Sequence, residues 1–219
     1  MSEKSAMPGQ PAVCRVLRAS APFVGKQGFS YAPAISAETV GASAIHMQLL
    51  TIPPGGRAKA HKHASHETAI YMLKGVGAMW YGPQLEHHNV LHPGEFLYIP
   101  ADMPHLPYNP SANEETVGSQ GIHMQLLTIP PGGRSNAHKH ASHETAIYML
   151  KGVGAMWYGS QLEHHCLLHP GEFLYIPADM PHLPYNPSTT EDTVAVISRT
   201  DPNEQESVVL LPHLETIHL

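Results

Sequence analysis

The stretch Gly55–Gly75, GGRAKAHKHASHETAIYMLKG, decides how this chain is read. It opens after Pro53-Pro54, a breaker that ends the apolar run Ile45–Ile52 (IHMQLLTI). It closes at Lys74-Gly75, after Thr68–Leu73 (TAIYML), whose β-branched and aromatic content favours a strand over a helix. Between them lies His61-Lys62-His63. Residues two apart on a strand face the same side, so both imidazoles are expected to point inward and Lys62 away. Working outward, Ala78–Tyr81 follows as the second arm of a hairpin turning at glycine. Gln84–Leu91 closes at Pro93-Gly94, and Phe96–Ile99 stops at Pro100. Short strands at even spacing with turn signals predict an all-β sandwich or barrel. The 21 prolines and 18 glycines argue in the same direction, against long helices.

The chemistry gathers around the histidines, of which there are 18. Glu67 follows His63 by four residues, and His105 follows Pro100-Ala101-Asp102-Met103-Pro104. Two histidines on one strand and a third on a neighbour can converge on one ion. Three or four N/O ligands leave room for water or substrate, as a catalytic metal site requires.

The whole pattern occurs twice. Glu38–Glu114 and Glu115–Glu191 align at an offset of 77 with 10 differences, and every histidine is matched. The second set of candidate ligands is therefore His138, His140, Glu144 and His182. Two units are too few for a solenoid. The organisation expected is an N-terminal strand or arm over 1–37, repeats over 38–114 and 115–191, and a C-terminal strand and tail over 192–219. The tail holds two strand-like runs, Thr193–Ser198 and Ser207–Leu211, that copy 1 lacks. After Asn109, copy 1 runs directly into the leading strand of copy 2, so either one barrel lacks a strand or the barrels exchange strands. Removing one 77-residue unit leaves a 142-residue chain expected to fold and dimerise, which would make the tandem an intramolecular pseudo-dimer or part of a homo-oligomer.

Composition narrows the function. A formal net charge of −6 gives no support to nucleic-acid binding. No apolar run reaches membrane-spanning length. The N-terminus lacks the apolar core of a secretory signal, and Cys14 and Cys166 are too few and too distant for a disulfide framework, so a reducing cytoplasm is expected. The expected partner is a small-molecule substrate.

Gly55…His61-Lys62-His63…Glu67…Gly75 resembles the first motif of the cupin superfamily, and Gly94…Pro100-Ala101-Asp102…His105…Asn109 resembles the second. Both recur at Gly132–Gly152 and Gly171–Asn186. The resemblance implies a double-stranded β-helix, or jelly-roll, barrel in each copy, holding one divalent transition metal (Fe, Mn, Ni or Zn). It departs at Asp102 and Asp179, where the second motif has glycine. Aspartate tolerates left-handed backbone, so the turn is expected to survive. The glutamate position is ambiguous: counted from His63 it falls on Glu67, counted back from Gly75 it falls on Thr68, and in copy 2 on Glu144 or Thr145. Glu67 is the preferred ligand, with a bulge after it. In that register Tyr71 and Tyr148 face inward as candidate catalytic residues. Arg57 and Arg134, the only arginines in the repeats, are candidates for holding a substrate carboxylate, against a plain reading as solvated turn residues. His66, His87, His88 and His92 are read as rim or surface residues and His46 as a core histidine.

A shared fold does not fix the reaction. Open histidine sites suit dioxygenase or oxidoreductase chemistry first. A metal-dependent sugar or sugar-phosphate isomerase or epimerase is the second reading, and a non-catalytic small-molecule binder the third.

Overall fold

The computed structural model describes residues 13–121, 124–200 and 207–218. They form two compact β units, and no described helix is long and apolar enough to cross a membrane.

Among the described residues, the first barrel comprises 19–34, 46–121 and 124–125. Its larger sheet runs, in spatial order, Phe23–Val24, Ser30–Ile35, Met47–Ile52, Thr116–Gly121, Thr68–Lys74, Phe96–Ile99. Its smaller sheet runs His87–Leu91, Gly77–Tyr81, His105–Tyr108. Among the described residues, the second barrel comprises 13–18, 35–45, 126–200 and 207–218. One sheet runs Arg15–Arg18, Glu172–Ile176, Thr145–Lys151, Thr193–Arg199, Met124–Ile129, and the other His164–Leu168, Gly154–Tyr158, His182–Tyr185, His138–His140, Val208–Leu210.

The compact units cut across the repeat boundary. Thr116–Gly121, counted in sequence as the start of copy 2, is the closing strand of the first barrel, antiparallel to both Met47–Ile52 and Thr68–Lys74. Thr193–Arg199 has the same place in the second barrel. The anchoring is alike, because Thr116 and Thr193 each donate a hydroxyl hydrogen bond of 2.7 Å, to the carbonyls of Val76 and Val153. The start of copy 2 thus supplies the first barrel with the closing strand that its own copy does not carry. The N-terminal arm is likewise shared: Val13–Arg18 packs with the second barrel, Ala19–Ala34 with the first, and Ile35–Ile45 with the second.

Each barrel has an inner and an outer face set by strand alternation. Along Thr68–Lys74, the residues Thr68, Ile70 and Met72 line the interior cavity. Asp102 and Asp179 both adopt φ of 62°, so the turn before the third histidine is kept without glycine. Gly75 shows why its site demands glycine: φ is 74°, and a Cβ there would lie 2.3 Å from the carbonyl oxygen of Glu115.

Candidate metal centres

Tertiary structure brings His61, His63 and His105 together, and His138, His140 and His182 likewise. In each trio one ligand atom per residue lies within 4.8 Å of the others. Ring centroids are 4.3 Å apart for His61–His105 and 4.3 Å for His138–His182. The intervening lysines turn away, Lys62 to Asp102 at 2.8 Å and Lys139 to Asp179 at 2.7 Å. The His-Lys-His segment is a strand only in the second barrel, where Val208–Leu210 pairs along its outer side. In the first barrel it is extended, with a single bridge from His61 to His105.

The backbone prepares these rings as ligands. His61 Nδ1 lies 2.8 Å from the carbonyl of Lys59, and His105 Nδ1 lies 2.8 Å from that of Met103. His138 and His182 repeat the contact with Asn136 and Met180 at 2.8 and 2.7 Å. A carbonyl only accepts, so each Nδ1 carries the hydrogen and Nε2 presents a lone pair. Burial, followed by the charge of neighbouring histidines, pulls His63 below the usual imidazole range. Burial also leads the lowering of His105, His138 and His182, strongly so for His182. Neutral imidazoles with an oriented lone pair fit a divalent transition metal.

The preferred glutamates do not join these clusters. Glu67 is exposed and accepts a hydrogen bond from the Tyr98 hydroxyl. Glu144 is buried and accepts from Ser43 N (2.8 Å), Ala44 N (2.8 Å), Ile45 N (3.0 Å) and the Tyr175 hydroxyl (2.6 Å). The register counted back from glycine places Thr68 on the cavity side. Its counterpart Thr145 is buried, and its Oγ1 has no hydrogen-bond partner among the described residues.

The same parity corrects the tyrosines. Tyr71 and Tyr148 lie on the face opposite Thr68 and Thr145, packed on Phe96 and Phe173 with centroids 4.7 and 4.6 Å apart. Nor do the arginines reach the histidines. Arg57 is exposed and outside the cavity lining. Arg134 holds the C-terminal tail, donating to the carbonyls of His218 (2.7 Å) and Glu215 (2.6 Å). His66, His87, His88 and His92 are exposed, as read. His46, read as core, is exposed because it precedes the strand that starts at Met47.

What sequence reasoning missed is the cavity of the first barrel and the place of Cys14 in the second. The first encloses a cavity of about 570 Å³ lined by Met72, Met79, Leu91, Leu97, Ile99 and Gly118 beside its three histidines. The counterparts in the second, Met149, Met156, Leu168, Leu174, Ile176 and Ala195, form one buried cluster around Cys14. Cys14 is delivered by the strand that lies on Glu172–Ile176. Cys166, which replaces Asn89, packs against the same cluster. Burial, then Cys166, drives the Cys14 thiol far above its usual pKa, and burial pushes Cys166 to about 11. Both behave as apolar packing groups rather than nucleophiles. The signal available in sequence was that Cys166 is one of 10 changes between the copies.

The Cupin domain family matches residues 48–117 and 125–198. No curated protein matches the sequence significantly. Among solved structures, the Lactobacillus farciminis oxalate decarboxylase formate complex superposes with TM-score 0.72 at 10% identity, covering 93% of this chain and 90% of that one. Bacillus subtilis oxalate decarboxylase OxdC gives 0.70 at 12% identity, covering 96% and 82%. AerE from Microcystis aeruginosa gives 0.65 at 13% identity, covering 84% and 98%. Two family matches, each spanning one histidine trio, make this chain a tandem member of the cupin domain family.

Proposed function

We propose that the chain is a metal-dependent small-molecule oxidoreductase of dioxygenase type, and that the first barrel is its working site. One observation carries this reading: a cavity of about 570 Å³, apolar over most of its lining, lies beside three convergent histidines. A divalent metal such as Fe or Mn, held by His61, His63 and His105, would supply Lewis acidity and redox access at positions the protein leaves open. The remaining work falls to the chain. Met72, Leu97 and Ile99 give an apolar wall for the substrate body, which excludes water from the reacting end. Thr68 offers a hydroxyl to orient it. Among the described residues lining the cavity none is Asp or Glu. An isomerase or epimerase needs a base to carry a proton between carbons, and this lining offers no carboxylate for that task. Two of the three structural neighbours above are named for oxalate, a small diacid. An apolar cavity of this size favours a bulkier substrate with an oxygen-bearing head, such as a dihydroxyaromatic or a diketone.

The test is oxygen uptake by Fe(II)-loaded protein with dihydroxyaromatic, diketone and thiol substrates. Uptake abolished by His61→Ala and kept by His138→Ala supports the reading. Silence across these classes, or turnover of a sugar with Mn or Zn and no oxygen, overturns it.

A further inference from the structure

The C-terminal tail shows what one surface of the second barrel binds. Residues 211–218 fill a groove beside Trp157. The His218 ring lies flat on the indole, with centroids 3.6 Å apart and planes 7° apart, and its Nε2 donates to the carbonyl of Leu162 at 2.8 Å. Arg134 holds the tail backbone at His218 and Glu215. The Glu215 carboxylate accepts from the Ala137 amide at 2.6 Å and faces the Arg134 guanidinium at 3.6 Å. Leu214 packs with Ala137, Leu162 and Leu183. The first barrel carries the same groove, and no described segment of the chain lies in it. At the offset of 77, Arg57, Ala60, Trp80, Leu85 and Leu106 repeat Arg134, Ala137, Trp157, Leu162 and Leu183. The turn is the same, with φ of 56° at Leu85 and 53° at Leu162. Trp80 lies against His88 at 4.3 Å, as Trp157 lies against His165 at 4.3 Å. Cover is what differs. Ala137 and Leu162 are 0% exposed, whereas Ala60 is exposed and Leu85 half-buried. Among the described residues, the Arg57 guanidinium has no hydrogen bond or ion pair, and no second ring lies on Trp80.

We propose that this groove of the first barrel is a peptide-binding site, and that its occupant is a segment of another polypeptide with the chemistry of the tail. That chemistry is a leucine, a glutamate directly after it, and a histidine three residues further on, as in Leu214, Glu215 and His218. The carboxylate meets Arg57 and the Ala60 amide. The leucine enters between Ala60, Leu85 and Leu106. The imidazole stacks on Trp80 and donates to the carbonyl of Leu85. The groove therefore offers a cation and an N–H to an acid, and an aromatic face with an acceptor to a ring that donates. The chain's own tail is a single segment already seated on the second barrel, and the tail of a second copy is seated in the same way. Residues 1–12 (MSEKSAMPGQPA) and 201–206 (DPNEQE) contain no leucine, histidine or aromatic residue, so neither carries this chemistry. None of the five groove residues lines the metal cavity, so peptide binding is separable from the reaction proposed there.

The experiment is titration calorimetry of the full chain with a synthetic peptide of residues 211–219, LPHLETIHL, as the probe. One peptide should bind per chain. Arg57→Ala removes no bond among the described residues, so the barrel keeps its fold, and it should weaken binding about tenfold or more. Peptides carrying Glu215→Ala or His218→Ala should bind more weakly to the same degree. The chain has two tryptophans, so their indole N–H resonances give a second readout: that of Trp80 should move on titration and that of Trp157 should not. No binding at millimolar peptide overturns the proposal. So does binding indifferent to Arg57→Ala or to both peptide substitutions, which would place the contact on another surface. Movement of the Trp157 resonance in place of Trp80 also overturns it, because the peptide would then be replacing the tail on the second barrel.

Discussion

The duplicated glutamates allow one substitution to be made twice in the same chemical setting. Glu144→Gln removes a buried carboxylate that accepts four hydrogen bonds, three from consecutive backbone amides and one from Tyr175. The best placement of the new amide keeps its oxygen toward Ala44 and Ile45 and turns its NH2 toward Tyr175. The Ser43 amide then faces a donor and is left unpaired. Losing the charge assistance of four bonds and stranding one part-buried N–H costs about 2–3 kcal/mol. Glu67→Gln touches an exposed carboxylate with one side-chain partner and should cost less than about 0.5 kcal/mol. For a unit of this size 1 kcal/mol moves the midpoint by roughly 2–4 °C, so calorimetry should show a fall of about 5–10 °C for one variant and almost none for the other. The pH dependence has a defined sign. Burial raises the Glu144 pKa, but the Tyr175 hydroxyl and the three amides outweigh it and hold the group below its ordinary value. Its stabilisation is therefore complete above the unfolded pKa and is lost as pH falls through the folded one. The gap between parent and variant should close in strong acid. Equal midpoints for the two variants would refute the argument. So would a loss of metal from Glu144→Gln, because that would make Glu144 a ligand.

The arginines give a second matched pair. Arg134→Ala should free the tail, costing about 2 kcal/mol for two lost charge-assisted bonds and raising amide exchange over 208–218, while Arg57→Ala should leave stability unchanged. Elemental analysis should find about two metals per chain, and about one after either His61→Ala or His138→Ala. His182 is held well below the ordinary imidazole pKa by burial first and by His138 next, so the folded state binds fewer protons than the unfolded one. Metal-free protein should therefore lose stability as pH falls below about 6.5 and level off beneath the folded pKa. A midpoint rising with acidity would contradict that sign. Cys14 and Cys166 should resist thiol reagents in the native state and react fully in denaturant, since burial raises both pKa values. Rapid native labelling would show that the Cys14 cluster is open.

Sequence by itself determined the fold class, the duplication and the two histidine trios. Those follow from local rules: alternation puts His61 and His63 on one side of an extended segment, and breakers such as Pro53-Pro54 and Pro100 set the strand ends. It also foresaw that Asp102 would hold a left-handed turn. The choice between Glu67 and Thr68 was not legible, because one residue of register reverses the face of every side chain on the strand, and only pairing with Phe96–Ile99 and Thr116–Gly121 fixes that register. The same register turned Tyr71 away from the cavity. The clearest case is Glu-Thr-Val-Gly, which is identical at 38–41 and 115–118. The first copy lies in a helical turn, Ala37–Val40, capped by Ser36 and ended by Gly41 at φ 74°. The second lies at the start of Thr116–Gly121, a strand held between two neighbours. Propensity is too weak to choose between them, and the backbone partners available at each place decide. Tertiary structure likewise decided that Met72, Met79, Leu91, Leu97 and Ile99 border a cavity beside one histidine trio, while Met149, Met156, Leu168, Leu174 and Ile176 gather around Cys14, a residue from outside the repeats that the pairing of Arg15–Arg18 brings there.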